Sequence, residues 1–402
     1  MIPVEEAEKI ILSHARDFGV EEISFDQSMG RVLAEDLYSD RDMPPFNRAT
    51  LDGIAIKYSS FEKGIRSFII IATQAAGSVP IEIESDDACI EIMTGAAMPA
   101  SADTVVRYED LEIKNGTATI VLDSIKKNNG VHAKGRDKIQ NEVVANAGQL
   151  ITPALISVAA SIGKIKLHVK KLPSIIIIST GDELVEVGET PSPYQIRRSN
   201  SYAVKTALAY MHVDADMLHI PDEPGMIKEQ INECLQNYDA IILSGGVSMG
   251  KFDYVPQALQ DLAVYKLFHK VKQKPGKPFW FGKHANGTVV FALPGNPVST
   301  FMCVTRYVLP WLKTCLGLPF TKNTYAILDS DISFSTSLQY FLQVQLNMSN
   351  DGKIYATPFE GNGSGDFGNL LVTDAFMELP LEQNNFTKGE AFRVWPYRDI
   401  FL

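Results

Sequence analysis

Residues Tyr238 to Tyr254 read YDAIILSGGVSMGKFDY, and the fold turns on them. The run Ala240 to Leu243 is wholly apolar and too short for a helix; it predicts a strand buried on both faces, as in a parallel sheet. Ser244-Gly245-Gly246 then breaks it. Adjacent glycines let backbone N–H groups come close to a ligand, and Ser244, Ser248 and Asp253 surround them with polar side chains. A phosphate cradle is one reading and a tight strand-to-helix turn the other. Gly245 to Lys251 also fits the Gly-x4-Gly-Lys skeleton of a P-loop, but Phe252 stands where a magnesium-binding Ser or Thr belongs.

The flanking chain repeats the pattern. Ser174 to Ile178 is a β-branched strand followed at once by Ser179-Thr180-Gly181-Asp182-Glu183-Leu184. Ser199 or Asn200 caps a helix through about Met211, and Val213 to Ile220 is a strand ending in Pro221-Asp222. Met226, Ile227, Ile231 and Leu235 form a helix stripe, and Pro278 to Phe281 and Thr288 to Leu293 flank an Asn286-Gly287 turn. Leu293-Pro294-Gly295-Asn296-Pro297 opens a long helix that Pro310 is expected to kink. In an open parallel sheet, ligands bind outside the carboxyl ends of the strands. Glu183, Asp222, the Gly245-Gly246 loop with Asp253, and Pro294-Gly295-Asn296 all leave strands at that edge, so their convergence predicts an active-site crevice. Acids beside a phosphate cradle point to a divalent cation.

Upstream, Val4, Ala7, Ile10, Ile11 and Ala15 recur at helical spacing over residues 4 to 18. Asp40 to Ala55 is an ordered loop, with paired prolines at 44 and 45, that delivers Asp52 ahead of Gly53. Strands follow at Phe68 to Ala72, Ala88 to Met93 and Thr104 to Tyr108, and Leu111 to Val121 folds at Asn115-Gly116. Thr94-Gly95 ends one strand, where the hydroxyl caps a turn or donates to an anion. Helical periodicity returns at Thr152 to Ile162, and the tail from about 325 reads as β, with strands at Tyr325 to Leu328, Gln343 to Met348, Lys353 to Thr357, Ala375 to Leu379 and Phe392 to Trp395. The expected division is a discontinuous N-terminal domain (1–22 with 40–50 and 135–170), an inserted β domain (23–39 with 51–134), an α/β domain (171–320) and a C-terminal β domain (321–402).

Length alone calls for more than one core at 402 residues. A net charge of −11 argues against nucleic-acid binding. The acidic N-terminus and the lack of a long apolar run point to a cytoplasmic protein with no membrane partner. Cys89, Cys234, Cys303 and Cys315 show no CxxC spacing and read as reduced core thiols. Against the acidic background Lys266, Lys270, Lys272, Lys274 and Lys277 gather with His269, and the stiff Lys274-Pro275-Gly276-Lys277-Pro278 turn predicts an anion site.

Together these motifs resemble the MoeA family of molybdopterin molybdenumtransferases, related to the E domain of gephyrin. The resemblance is carried, in the family's order, by Pro44-Pro45-Phe46 through Asp52-Gly53, Ile92 to Ala96, Ser179 to Leu184, Ser244 to Gly250 with Asp253-Tyr254, Lys274 to Pro278, and Leu293 to Ser299. It implies a MoaB/MogA-like doubly wound α/β domain, the inserted β domain, the helical N-terminal domain and a C-terminal β-barrel-like domain. It further implies insertion of molybdate into adenylylated molybdopterin with release of AMP, assisted by Mg2+, in a homodimer whose active site is shared between subunits. The residues it marks as catalytic are Asp52, Thr94, Glu183 and Asp253. Substrate binding falls to Asp137, Asp182, Ser244, Gly245, Gly246, Ser248, Gly250, Lys274, Lys277, Pro294, Gly295, Asn296 and Ser299, and the metal to Asp222 and Asp253. Ile54, Arg136 and Gln343 depart from the family pattern, which usually has Tyr, Glu and often Arg there. A CinA-like enzyme acting on nucleotides and a non-catalytic molybdopterin-binding scaffold are the alternatives.

Overall fold

The computed structural model describes residues 1–246, 254–318, 324–334, 337–359, 361 and 363–398. The chain divides into two compact units. One comprises Met1–Ile23, Gly30–Ala34 and His168–Leu402, the other Ser24–Met29 and Glu35–Leu167.

Strands Ile175–Thr180, Ala240–Ser244 and Val289–Leu293 of the first unit are buried at every position, which is why they read as apolar runs and not as alternation. They lie in a six-stranded sheet ordered Asp216–Ile220, Ile175–Thr180, Ala240–Ser244, Val289–Leu293, Trp280–Lys283, Tyr265–His269. The first four strands are parallel and the last two antiparallel. Alternate residues feed two cores. Ile175, Ile177, Ile242 and Phe291 meet helices Val4–Ser13, Asn200–Ala209 and Pro297–Cys303 on one face. Ile176, Ile178, Ile241 and Leu243 meet Pro224–Asn237 and Val255–Asp261 on the other.

Two helices differ from expectation. The first stops at Ser13 and not at 18, because Ser13 Oγ and His14 Nδ1 both bond the Ile10 carbonyl, at 2.7 and 2.8 Å, and satisfy the helix end. The long helix is not simply bent at Pro310. Pro297–Cys303 and Leu309–Cys315 are α-helical, and Val304–Val308 between them is a π-helical turn. Proline offers no N–H to the carbonyl four residues back, and the wider turn absorbs the lost bond.

Five strands, Gln339–Met348, Ile354–Pro358, Thr324–Leu328, Ala391–Pro396 and Ala375–Leu379, close into a barrel in the C-terminal region, filled by Leu342, Val344, Ala326, Ala356, Met377 and Val394. Gln339–Met348 begins four residues earlier than its sequence pattern shows. Its extra residues pair in parallel with Gln273–Lys274, which therefore joins the barrel as an added edge strand.

The second unit holds a six-stranded sheet ordered Thr104–Arg107, Gly53–Ile56, Ala88–Ile92, Ser67–Gln74, Thr117–Ile120, Leu111–Lys114. Asn115 and Gly116 turn the last hairpin with φ of +48° and +75°, the primed geometry that Asn-Gly favours. Ile54 lies wholly buried in this sheet. Thr152 caps Pro153–Ser161 by accepting from the Leu155 N–H. All four cysteines are free and buried, and among the described residues no helix is long and apolar enough to cross a membrane.

Candidate active site

Each of the four parallel strands hands the chain to a polar loop at the same sheet edge. Thr180 leads into Gly181-Asp182-Glu183, Ile220 into Pro221-Asp222, Ser244 into Gly245-Gly246 and Leu293 into Pro294-Gly295-Asn296. The strand order reverses between Ile175–Thr180 and Ala240–Ser244, so the gap between their ends is the switch point at which such sheets bind ligands. Gly245 and Gly246 occupy it with φ of +101° and +67°. A Cβ on Gly246 would lie 2.7 Å from Thr180 Oγ1 and 2.8 Å from Val255 Cγ2, so conformation and space both require glycine.

Asn200 ties these loops together. Its Nδ2 donates to Gly295 O at 2.7 Å and Ser244 Oγ at 3.1 Å, with Thr300 Oγ1 at 3.3 Å. The sequence marks Ser199 and Asn200 only as helix caps, yet Ser199 makes no side-chain cap bond. Beside Asn200 a cleft of about 90 Å³ is lined by Glu183, Arg198, Ser244 and Gly245. Ser179, Thr180 and Arg198 line it too; their Oγ, Oγ1 and Nε atoms are buried and have no hydrogen-bond partner among the described residues, although Arg198 Nη2 reaches Glu186 at 2.9 Å. An arginine lining such a cleft favours an anionic group.

A larger pocket of about 290 Å³ adjoins the same Pro294 to Pro297 loop. Lys274 and Lys277 supply its charge, Asn296 and Ser299 one wall, and Tyr340 and Gln343 the barrel wall. Lys274 Nζ stands 4.9 Å from the Phe334 ring centroid and 5.6 Å from that of Tyr340, and these rings stack at 4.1 Å. The ammonium is thereby held by cation–π attraction, and among the described residues no carboxylate pairs with it. Asn296 Nδ2 donates to Ser364 Oγ at 2.7 Å, pinning a barrel loop to the helix start. Gln343 is 7% exposed, and its Nε2 has no hydrogen-bond partner among the described residues. Lys266 and His269, part of the same basic run in sequence, instead line a separate cleft with Tyr265 and Trp280.

In the second unit Asp52 Oδ1 accepts from the Thr94 N–H at 2.7 Å, which brings those two candidates together. Tyr108 lies beside them, its phenol pushed up to about 12 by burial first and then by Glu91 and Asp52. Asp137 pairs with His132 at 2.9 Å, and Arg136 precedes it in the loop whose Gly135 N–H bonds Pro44 O.

The metal candidates are less complete. Asp182 Oδ1 accepts from the Asp222 N–H at 3.0 Å, which joins two of the strand-end loops. Among the described residues no group of three or more His, Cys, Asp or Glu could hold a metal ion. Ser248, Gly250 and Asp253 lie outside the described residues.

Family models cover the chain in sequence. The MoeA N-terminal region (domain I and II) matches residues 2–163, a probable molybdopterin binding domain residues 176–314, and the MoeA C-terminal region (domain IV) residues 325–397. A molybdopterin molybdenumtransferase of Synechocystis sp. is 37% identical over 400 residues, covering 99% of this chain and all of that one. One from Staphylococcus epidermidis is 30% identical over 401 residues, covering 98% and 95%. The crystal structure of the molybdopterin biosynthesis MoeA protein from Pyrococcus horikosii matches with a TM-score of 0.84 at 28% identity, covering 99% of this chain and all of that one. Matched over nearly its whole length in both sequence and fold, the chain belongs to the MoeA family.

Proposed function

We propose that this chain inserts molybdate into adenylylated molybdopterin, releasing AMP and completing the molybdenum cofactor. The observation that carries the reading is the 290 Å³ pocket with Lys274 and Lys277 on its wall, sharing the Pro294 to Pro297 loop with the cleft at the switch point. A small tetrahedral dianion suits the ammonium groups of Lys274 and Lys277 and the amide of Gln343. The phosphate-bearing pterin suits the glycine loop at the switch point and the cleft beside it, which Glu183, Arg198, Ser244 and Gly245 line; Asp182 and Gly246 belong to the same strand-end loops. One loop then lies against both ligands, which is the proximity a transfer step needs.

Asp52 and Thr94 stand exposed on the second unit, linked by their own hydrogen bond. Their role is read as completing the site from the other subunit of a homodimer, with Asp137 on the same side. Magnesium is the finer part of the proposal. Asp222 is its candidate ligand together with Asp253, but the described donors do not complete a shell, so no step is assigned to the metal.

The test is AMP release from adenylylated molybdopterin in the presence of Mg2+ and molybdate or tungstate. Lys277→Ala is expected to lower the rate on the order of a hundredfold while the circular dichroism spectrum stays unchanged. No release by the unmodified protein with either oxyanion would refute the transferase reading. Stoichiometric binding without turnover would favour the scaffold.

A further inference from the structure

The lysine turn rests on a buried polar chain that no surface feature advertises. Gln273, wholly buried, uses its side chain completely. Its Oε1 accepts from the Tyr307 hydroxyl in a short bond. Its Nε2 donates to Gly276 O at 3.0 Å, with Cys303 Sγ at 3.5 Å. Gly276 O is the carbonyl immediately before Lys277, so the amide fixes the peptide that carries that lysine. A Cβ on Gly276 would lie 2.9 Å from both Gln273 Nε2 and Cys303 Sγ, which shows how closely the turn is seated on this amide. Tyr307 is 1% exposed among aromatic neighbours, its ring 5.1 Å from that of Phe279. Burial keeps its phenol protonated, well above the ordinary range, and so a permanent donor.

The residue before Tyr307 reaches the other wall of the same pocket. Arg306, also 1% exposed, pairs with Glu8 at 2.8 Å and Glu378 at 3.6 Å. Glu378 accepts from Gln339 Nε2 at 2.6 Å and from Trp395 Nε1 at 2.7 Å. Gln339 is the register partner of Gln273, and Tyr340 is that of Lys274. Both residues belong to the π-helical turn Val304–Val308, from which Tyr307 bonds the Gln273–Lys274 strand and Arg306 pairs with the Ala375–Leu379 strand. An apolar core would be as stable without these buried polar groups, so their arrangement calls for a geometric reason.

We propose that this π-helical turn is the positioning device of the oxyanion pocket. Tyr307, through Gln273 and Gly276, sets Lys277, and Arg306, through Glu378 and Gln339, sets the strand carrying Tyr340. The inference rests on the pocket being the molybdate site. Tyr307 and Gln273 are positioning residues and touch no substrate.

The test compares the intact protein with Tyr307→Phe and with the double variant Tyr307→Phe/Gln273→Met. Molybdate binding is read by titration calorimetry, AMP release is followed against both substrates, and Tm is measured. Tyr307→Phe is expected to raise the half-saturating molybdate concentration about tenfold. The rate at saturating molybdate and the half-saturating adenylylated molybdopterin concentration should stay within about twofold. The double variant removes the amide and leaves Gly276 O without its donor, so Tm should stay at or below that of Tyr307→Phe and molybdate affinity should fall at least as far. Unchanged molybdate affinity in Tyr307→Phe, or unmodified-level affinity in the double variant, would overturn the positioning role alone. No molybdate binding by the unmodified protein would overturn the pocket assignment and this proposal with it.

Discussion

Asn200 shows how a single amide can organise a crevice. It spends both hydrogens on loops from neighbouring strands, at Gly295 O and Ser244 Oγ, and so ties the strand-end cleft to the loop that this cleft shares with the lysine pocket. Asn200→Leu should fold, because the residue sits at a helix start, but it leaves Gly295 O without its partner. AMP release is expected to fall about tenfold or more with molybdate binding to the lysine pocket retained, a split that calorimetry and turnover together would show. Residue-level legibility followed locality. Gly245, Gly246 and Gly276 announce themselves because backbone shape restricts what can stand there. Asn200 was visible only as a cap, and Arg306 and Tyr307 only as members of an apolar helix, since their partners lie far off in sequence.

At the scale of elements, the strands of the parallel sheet were legible because burial on both faces forces uninterrupted apolar runs. The barrel strands were legible wherever alternation or a turn signal framed them. The first residues of Gln339–Met348 were not, since pairing with Gln273–Lys274 is a tertiary event that leaves no pattern in either segment. The break at Pro310 was foreseeable, but its form was not: a kink and a π-helical turn answer the same missing N–H. The Arg306 cluster joins three elements, the Val4–Ser13 helix, the π-helical turn and the Ala375–Leu379 strand. Arg306→Leu should therefore strand Glu378, which is nearly buried, and cost about 3–5 kcal/mol in urea unfolding. Glu8→Gln, at the more exposed end, should cost much less.

Across the whole molecule, several carboxylates are held below their ordinary range by local donors. Asp17 is lowered by its bond to Lys170, Asp42 by the Gln140 N–H, Glu82 by Ser101, and Asp351 to about 2 by Ser349 and Lys353. Because their folded values lie beneath the unfolded ones, the stability they contribute is present above about pH 4–5 and is lost as pH falls toward 2. Tm should be level near neutrality and drop through that acid window, and Asp351→Asn should shallow the drop; an unchanged slope would assign it to other groups. The family assignment was readable from the sequence at this scale because six short motifs lie in order along it, each with a backbone reason to persist. The lysine turn is separated in sequence from the barrel it joins, yet it is hydrogen-bonded as one of the barrel's edge strands. A chimera joined near residue 324 would import a foreign strand against the native turn and so cross two halves of one binding pocket. Recombination between relatives keeps the lining of the lysine pocket within one parent only if the crossover falls upstream of Gln273 or beyond Ser364.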